Sequence, residues 1–238
     1  MTQGAQQSNG FVLHSRRFRE NSRILEVFTE TAGRIAVVAR VSRRKGGSSA
    51  SVYQPFRKLS VHWRGRGELQ NILSAEELEH FPLSSHASLC GLYCNELLLY
   101  LTSKFIPMPS IYSSYQETLK SLAEENIFEP ALRRFEFVLL EELGFGLDLE
   151  TDHLTGQLLV DAEQYYYHPA MGLSSKNPGQ GSFIVPAEAI DAIRKQDFSR
   201  QSNAKAVKLI LASTIDRLLD GRPLKSRQLF RDMVKINT

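Results

Sequence analysis

The sequence predicts an α+β chain: a small five-stranded barrel, then a mainly α-helical domain with a small irregular or β insert. Three observations predict it. Five short runs of β-branched, aromatic or alternating apolar residues fall within roughly the first 75 positions. From Ser74 the apolar spacing changes to three and four, the period of an amphipathic helix. The charge divides at the same place. Residues 1–70 hold thirteen Lys/Arg against four Glu and no Asp, about +9, whereas 71–238 hold sixteen basic and twenty-two acidic residues, about −6. A front that faces a polyanion and a mildly acidic rear fit those numbers.

FVLHSRRF (11–18) starts apolar and then gathers arginines, and SRILEVFTE (22–30) is β-branched and aromatic. Thr31-Ala32-Gly33 supplies a tight turn, with Gly where positive φ is needed. RIAVVARV (34–41) is nearly all apolar, as in a strand buried on both faces. A basic loop follows, with Arg43, Arg44 and Lys45 beside Gly46-Gly47-Ser48-Ser49. KLSVHWR (58–64) alternates, with Leu59, Val61 and Trp63 on one face and Ser60, His62 and Arg64 on the other. Gly65-Arg66-Gly67 permits a bend into a fifth strand, ELQNIL (68–73). Among small five-stranded barrels, the OB-fold fits this pattern best.

SAEELEHF, from Ser74, reads as a helix start, since Glu77 completes a capping box. SLCGLYCNELLLYLTSKF (88–105) has apolar residues at helical spacing and ends before Pro107 and Pro109. IYSSYQETLKSLAEE (111–125) is a second helix. EPALRRFEFVLLEELGFG (129–146) is a third, with Pro130 in its first turn, Gly144 and Gly146 at its end, and a buried stripe of Leu132, Phe135, Leu139 and Leu143. Residues 147–186 break the pattern and are expected to be an irregular insert, with a hairpin turning at Asn177-Pro178-Gly179. Helices resume at 187–195, at 203–221 with Gly221 as its C-cap, and at 226–235 with Ser226 as its cap. The domain boundaries expected are 1–80 for the barrel, as a nucleic-acid-binding domain, and 81–238 for the helical part.

No catalytic constellation stands out. The chain has neither GxxxxGK[ST] nor GxGxxG, and no HExxH or GxSxG. The glutamates of the front domain (Glu20, Glu26, Glu30, Glu68) lack the spacing that would hold divalent ions. His14 and His62 lie among arginines with no orienting carboxylate, which suits phosphate or solvent contact better than general-base work. Cys90 and Cys94 would share one helix face, a poor geometry for a disulfide, and read as small buried residues of a reducing compartment. No apolar run approaches the roughly 18 residues of a membrane span, and the polar N-terminus lacks a signal-peptide pattern. No cofactor, metal or membrane is expected, and the protein is expected to be cytoplasmic.

The arginines remain. Arg16, Arg17, Arg19, Arg23, Arg34, Arg40, Arg43, Arg44, Lys45, Arg57, Arg64 and Arg66 lie within about fifty residues, and acids do not interleave to form ion-pair nets. On a barrel they would line a groove that tracks phosphates, with counterion release supplying affinity. Phe18, Phe28, Tyr53, Phe56 and Trp63 are the neighbouring aromatics. Trp63 suits the core, and Tyr53, beside the basic loop, suits base stacking.

Several segments together resemble the bacterial RecO family. They are FVLHSRRFRENSRILEVFTETAGRIAVVAR, QPF (54–56), GRGEL (65–69), GLYCNELL (91–98), EPALRRFEFVLLEELGFG (129–146) and GRPLKSRQLFR (221–231). The resemblance runs in order over nearly the whole chain. It implies an N-terminal OB-fold, a helical C-terminal domain and a non-enzymatic, nucleoid-associated recombinational repair mediator. Such a protein binds single- and double-stranded DNA, anneals complementary strands and engages the C-terminal tail of single-stranded-DNA-binding protein (SSB). With RecR it helps to load RecA. The tail is implied to dock on the helical domain near Arg133, with Arg134 as a second position; the other reading is that Arg133 pairs with Glu129 or Glu136. Many relatives carry a four-cysteine zinc site around the insert. Residues 147–186 have no Cys, so packing is expected to hold the insert here. The alternative readings are a nucleic-acid-processing enzyme, nuclease or RNA-modifying, that uses the barrel for substrate delivery, and an adaptor that grips acidic protein.

Overall fold

A computed structural model describes residues 4–41, 51–124 and 128–236. Arg43, Arg44 and Lys45 lie outside the described residues. Five strands, β1 (Gln6–Arg17), β2 (Ser22–Thr29), β3 (Gly33–Arg40), β4 (Arg57–Arg64) and β5 (Leu69–His80), close a barrel in the order β1-β2-β3-β5-β4. All neighbours are antiparallel except β3 and β5, which run parallel from Ala36↔Leu69 to Val38↔Asn71. This is the OB connectivity. The rest comprises α1 (Ser85–Leu101), α2 (Pro109–Glu124), α3 (Glu129–Glu142), β6 (Gln164–His168), β7 (Gly172–Ser174), β8 (Phe183–Pro186), α4 (Ala187–Arg194), α5 (Gln201–Leu219) and α6 (Lys225–Ile236). Two compact units result. One is residues 1–126 with 224–238, and the other is 127–223. Among the described residues no helix is long and apolar enough to cross a membrane.

Alternation fills the barrel. Leu25, Val27, Ile35, Val37, Leu59, Val61 and Trp63 meet inside it, all fully or almost fully buried. The first strand is apolar on both faces at Phe11–Leu13 because both are covered there. Val12 joins the interior, while the Phe11 ring lies 5.1 Å from Tyr115 and 5.5 Å from Tyr112 of α2. One polar network ties this layer together. The Tyr115 hydroxyl donates to Asn95 Oδ1 at 2.6 Å, and Asn95 Nδ2 donates to the Leu13 carbonyl at 3.2 Å. Burial pushes the Tyr115 phenol well above its ordinary pKa, so it stays a donor.

Several expectations need correction. Ser74–His80 is not a helix: β5 continues to His80, and Ser74, Ala75, Glu76 and Glu77 pair with His62, Val61, Ser60 and Leu59. Pairing with β4 outweighs the local capping signal, and the acids of SAEELEHF lie on an exposed strand instead. The first helix therefore begins at Ser85, and Cys90 and Cys94 are buried in it without a disulfide. Tyr53 is a core residue, 4% exposed, and not a stacking platform. Ser226 does not cap its helix from outside. It sits in the first turn of α6, and the Glu96 carboxylate of α1 accepts from the Lys225 and Ser226 amides at 3.0 and 2.8 Å.

In the second unit α3 buries Leu132, Phe135, Leu139 and Leu140, while Leu143 is half-buried beyond its end. The insert contains a three-stranded antiparallel sheet in the order β7-β6-β8. Its hairpin turns at 169–171, between β6 and β7, and Asn177-Pro178-Gly179 lies in the connection to β8. Tyr165 and Tyr167 point inward, and the Tyr167 hydroxyl lies 2.6 Å from Thr214 Oγ1 of α5. Packing is joined by a buried carboxylate. Asp152 accepts from the Leu154 amide at 2.9 Å, and from the Ser175 amide and hydroxyl at 2.9 and 2.7 Å. These bonds, Ser175 foremost, hold its pKa below the usual carboxylate range.

Candidate nucleic-acid interface

Strand pairing sorts the predicted arginines onto two ends of the barrel. The β1–β2 turn, the exit of β3 and the start of β4 share the first end. The β2–β3 turn, the β4–β5 turn and the start of β1 share the second. The outer face of β2 and β3, where OB barrels commonly receive strands, is largely covered by the chain's own α1–α2 region. Phe28 and Ala36 are buried, and Arg34 Nη2 donates to the Thr102 carbonyl at 2.9 Å.

The first end is cationic. Arg17 pairs across the ladder with Arg23, and Arg40 with Ser22. Arg16, Arg17, Arg19 and Arg40 are exposed. A recess of about 310 Å³ is lined by Arg17, Arg19, Glu20, Asn21, Ser22, Arg23 and Val41. Its guanidinium groups are positioned individually. Arg23 Nε donates to Ser15 Oγ at 2.6 Å. Arg19 adopts φ +59 and lies 5.1 Å over the Phe18 ring. None of Arg16, Arg17, Arg19, Arg23 or Arg40 has an ion-pair partner among the described residues. Like charges directly opposite in a ladder oppose folding, so this end holds a surplus of positive charge that an anion would relieve. Val41, whose amide donates to the Asn21 carbonyl at 3.0 Å, brings the chain to this recess two positions before Arg43.

Two predicted arginines are already paired. Arg34 Nη1 meets Glu26 Oε2 at 2.9 Å, and Arg57 forms a close ion pair with Glu77. Both are half-buried. Arg64 and Arg66 are exposed but belong to the second end, so the structure does not gather all the front arginines into one groove. Of the aromatics, Phe28 and Trp63 are core, Phe56 is half-buried against Gly91, and Phe18 alone accompanies the cationic end. His14 is exposed on β1 and His62 is half-buried on β4.

Sequence reasoning missed the second mouth of the barrel. A cavity of about 800 Å³ opens there between Gln6, the Thr31-Ala32 turn, Gly65–Glu68, Gln70, Phe105 and Pro107. Its wall is the KFIP segment, legible in sequence only as the end of a helix. Gly33, at φ +67, lets that segment close in, since a Cβ there would collide with the Ile106 carbonyl.

In the second unit, Arg133 is buried rather than exposed. It is 6% exposed and its Nη1 lies 3.0 Å from Glu136 Oε2, itself on a residue 1% exposed. Arg134, one position on, faces solvent. Among the described residues no group of three His, Cys, Asp or Glu side chains is arranged to hold a metal ion.

Residues 1–81 match the family model for the N terminal part of recombination protein O, and residues 83–228 match that for its C terminal part. The DNA repair protein RecO of Halorhodospira halophila is 37% identical over 234 residues, covering 97% of this chain and 98% of that protein. Its counterpart in Hahella chejuensis is 35% identical over 229 residues, 95% of each chain. That of Methylococcus capsulatus is 37% identical over 224 residues, covering 94% of this chain and 92% of the other.

Proposed function

Because the chain belongs to the RecO family of DNA repair proteins, we propose that it acts as a non-enzymatic mediator that binds DNA at the cationic end of its barrel. Single- and double-stranded DNA share the phosphates that this end would neutralise. Two strands held on a basic surface repel each other less and meet more often, so annealing needs no hydrolysis. The observation that carries the reading is Arg17 set opposite Arg23 at a recess also lined by Arg19, with no ion pair for the three among the described residues. Arg16, Arg40 and the loop cations Arg43, Arg44 and Lys45 extend the track, and Arg64 and Arg66 serve at the far end. Arg34 and Arg57, neutralised by Glu26 and Glu77, add no net charge to the track and serve to hold its strands in place. Residues 1–80 are the nucleic-acid-binding domain in this reading and 81–238 the partner-binding one.

The same reading assigns RecR as a partner and RecA loading on SSB-coated strands as the outcome, in the bacterial cytoplasm at the nucleoid. The C-terminal tail of SSB would be received at α3, where Arg134 is available at the surface and Arg133 lies beneath it in its ion pair with Glu136. Complementary labelled oligonucleotides mixed with the protein, without nucleotide, should anneal faster than alone. The Arg17→Glu/Arg19→Glu variant should lose most of that acceleration. A wild-type annealing rate equal to the protein-free rate would refute the proposal.

A further inference from the structure

The second mouth of the barrel combines three features that the DNA track does not explain. Gln70 is nine-tenths buried at the mouth, and its Oε1 has no hydrogen-bond partner among the described residues. Its orientation is fixed, because Nε2 donates to the Gly67 carbonyl at 3.3 Å and the reverse placement would set two acceptors together. A buried carbonyl oxygen left unpaired lacks a donor that a ligand can supply. The second feature is Phe105. It adopts φ +61, is held by its amide on the Arg34 carbonyl at 3.1 Å, and leaves its side chain partly open at the cavity, 43% exposed. The third is Arg66, exposed on the rim between Gly65 and Gly67 and without an ion pair among the described residues, whereas Glu68 beside it is met by Lys104 at 3.5 Å.

We propose that this mouth captures one unpaired nucleobase of bound DNA, stacked on Phe105, with Gln70 Oε1 accepting from an amine or N–H on the base edge and Arg66 meeting the adjoining phosphate. The inference rests on the DNA-binding reading above and adds a subsite to it. An aromatic platform, an amide acceptor and a cation at the rim are the groups that single-stranded recognition uses, since an unstacked base offers both a π-face and its pairing edge. The cavity, about 800 Å³, is roomy enough for a base with its sugar. A duplex keeps its bases stacked and cannot fill it, so the mouth separates single strands from double ones where the cationic end does not.

The test compares two oligonucleotides of one length bound to the full chain, one bearing bases and one abasic throughout. Wild type should prefer the base-bearing strand by roughly five- to a hundredfold. Phe105→Gly removes the ring at a backbone angle glycine adopts freely, and should bring that ratio close to one. Arg17→Glu/Arg19→Glu should weaken both oligonucleotides alike and keep the ratio. A wild-type ratio near one, or a ratio unchanged in Phe105→Gly, overturns the proposal and leaves the mouth to a protein segment. Failure of wild type to bind either strand overturns the DNA-binding reading itself. Should Phe105→Gly not fold, wild type alone decides. It should bind an adenine homopolymer several-fold more tightly than one of purine, which lacks the exocyclic amine, and equal affinity contradicts the role of Gln70.

Discussion

Arg133 shows how far one residue's environment can depart from its sequence context. It lies 3.0 Å from Glu136 in a nearly solvent-free part of α3. Removing one member of a buried pair costs about 3–5 kcal/mol, so Arg133→Ala should lower the melting temperature sharply, whereas Arg134→Ala should leave it almost unchanged. Thermal melts of the two variants check this, and they must accompany any tail-peptide titration. Asp152 makes a second residue-scale prediction. Its folded pKa is depressed, so its contribution is complete above the unfolded value of about 3.9 and is lost as pH falls through the lower folded value. Asp152→Asn should cost about 1–3 kcal/mol at neutral pH. The gap between variant and wild type should narrow in denaturant melts run below about pH 4. A count of charge along the chain does not show that Arg34 and Arg57 are paired. Their acids, Glu26 and Glu77, are eight and twenty residues away and meet them only through strand pairing.

Elements with a steady period were legible and those that depend on a partner were not. The alternation in KLSVHWR fixed β4 and its buried Trp63 correctly, because one strand face is core whatever its neighbours are. Ser74–His80 carried a helix-start signal, yet its conformation is decided by β4, whose partner residues lie twelve to twenty-three positions earlier. The cap of α6 was equally hidden, since Glu96 lies about 130 residues upstream on α1. Glu96→Ala should leave two amides at that helix start unsatisfied and cost about 1–2 kcal/mol. The loss should appear as faster amide exchange confined to the start of α6. Uniformly slow exchange there would remove Glu96 from the account.

At the scale of the molecule, the sequence showed where the charge is and not how the barrel distributes it. Thirteen cations precede residue 71. Closure of the barrel sends five of the predicted arginines to one end, two to the other and two into ion pairs. That sorting arises from strand order and register, which a count along the chain cannot contain. It also makes the central claim quantitative, because each phosphate contact along the track adds a fixed increment to the salt slope. For a single strand the slope is about −0.7 per phosphate neutralised. The three contacts at the recess alone then account for roughly a twentyfold loss of affinity from about 50 to about 200 mM salt, and the further cations of the track add to it. The most direct test is fluorescence anisotropy of a mixed-sequence single strand across that range, for wild type and for Arg17→Glu/Arg19→Glu. Salt-dependent binding that weakens and flattens by about 1.4 in slope in the variant is the predicted result. Equal affinities and equal slopes for the two proteins would contradict the assignment of the barrel's cationic end to DNA.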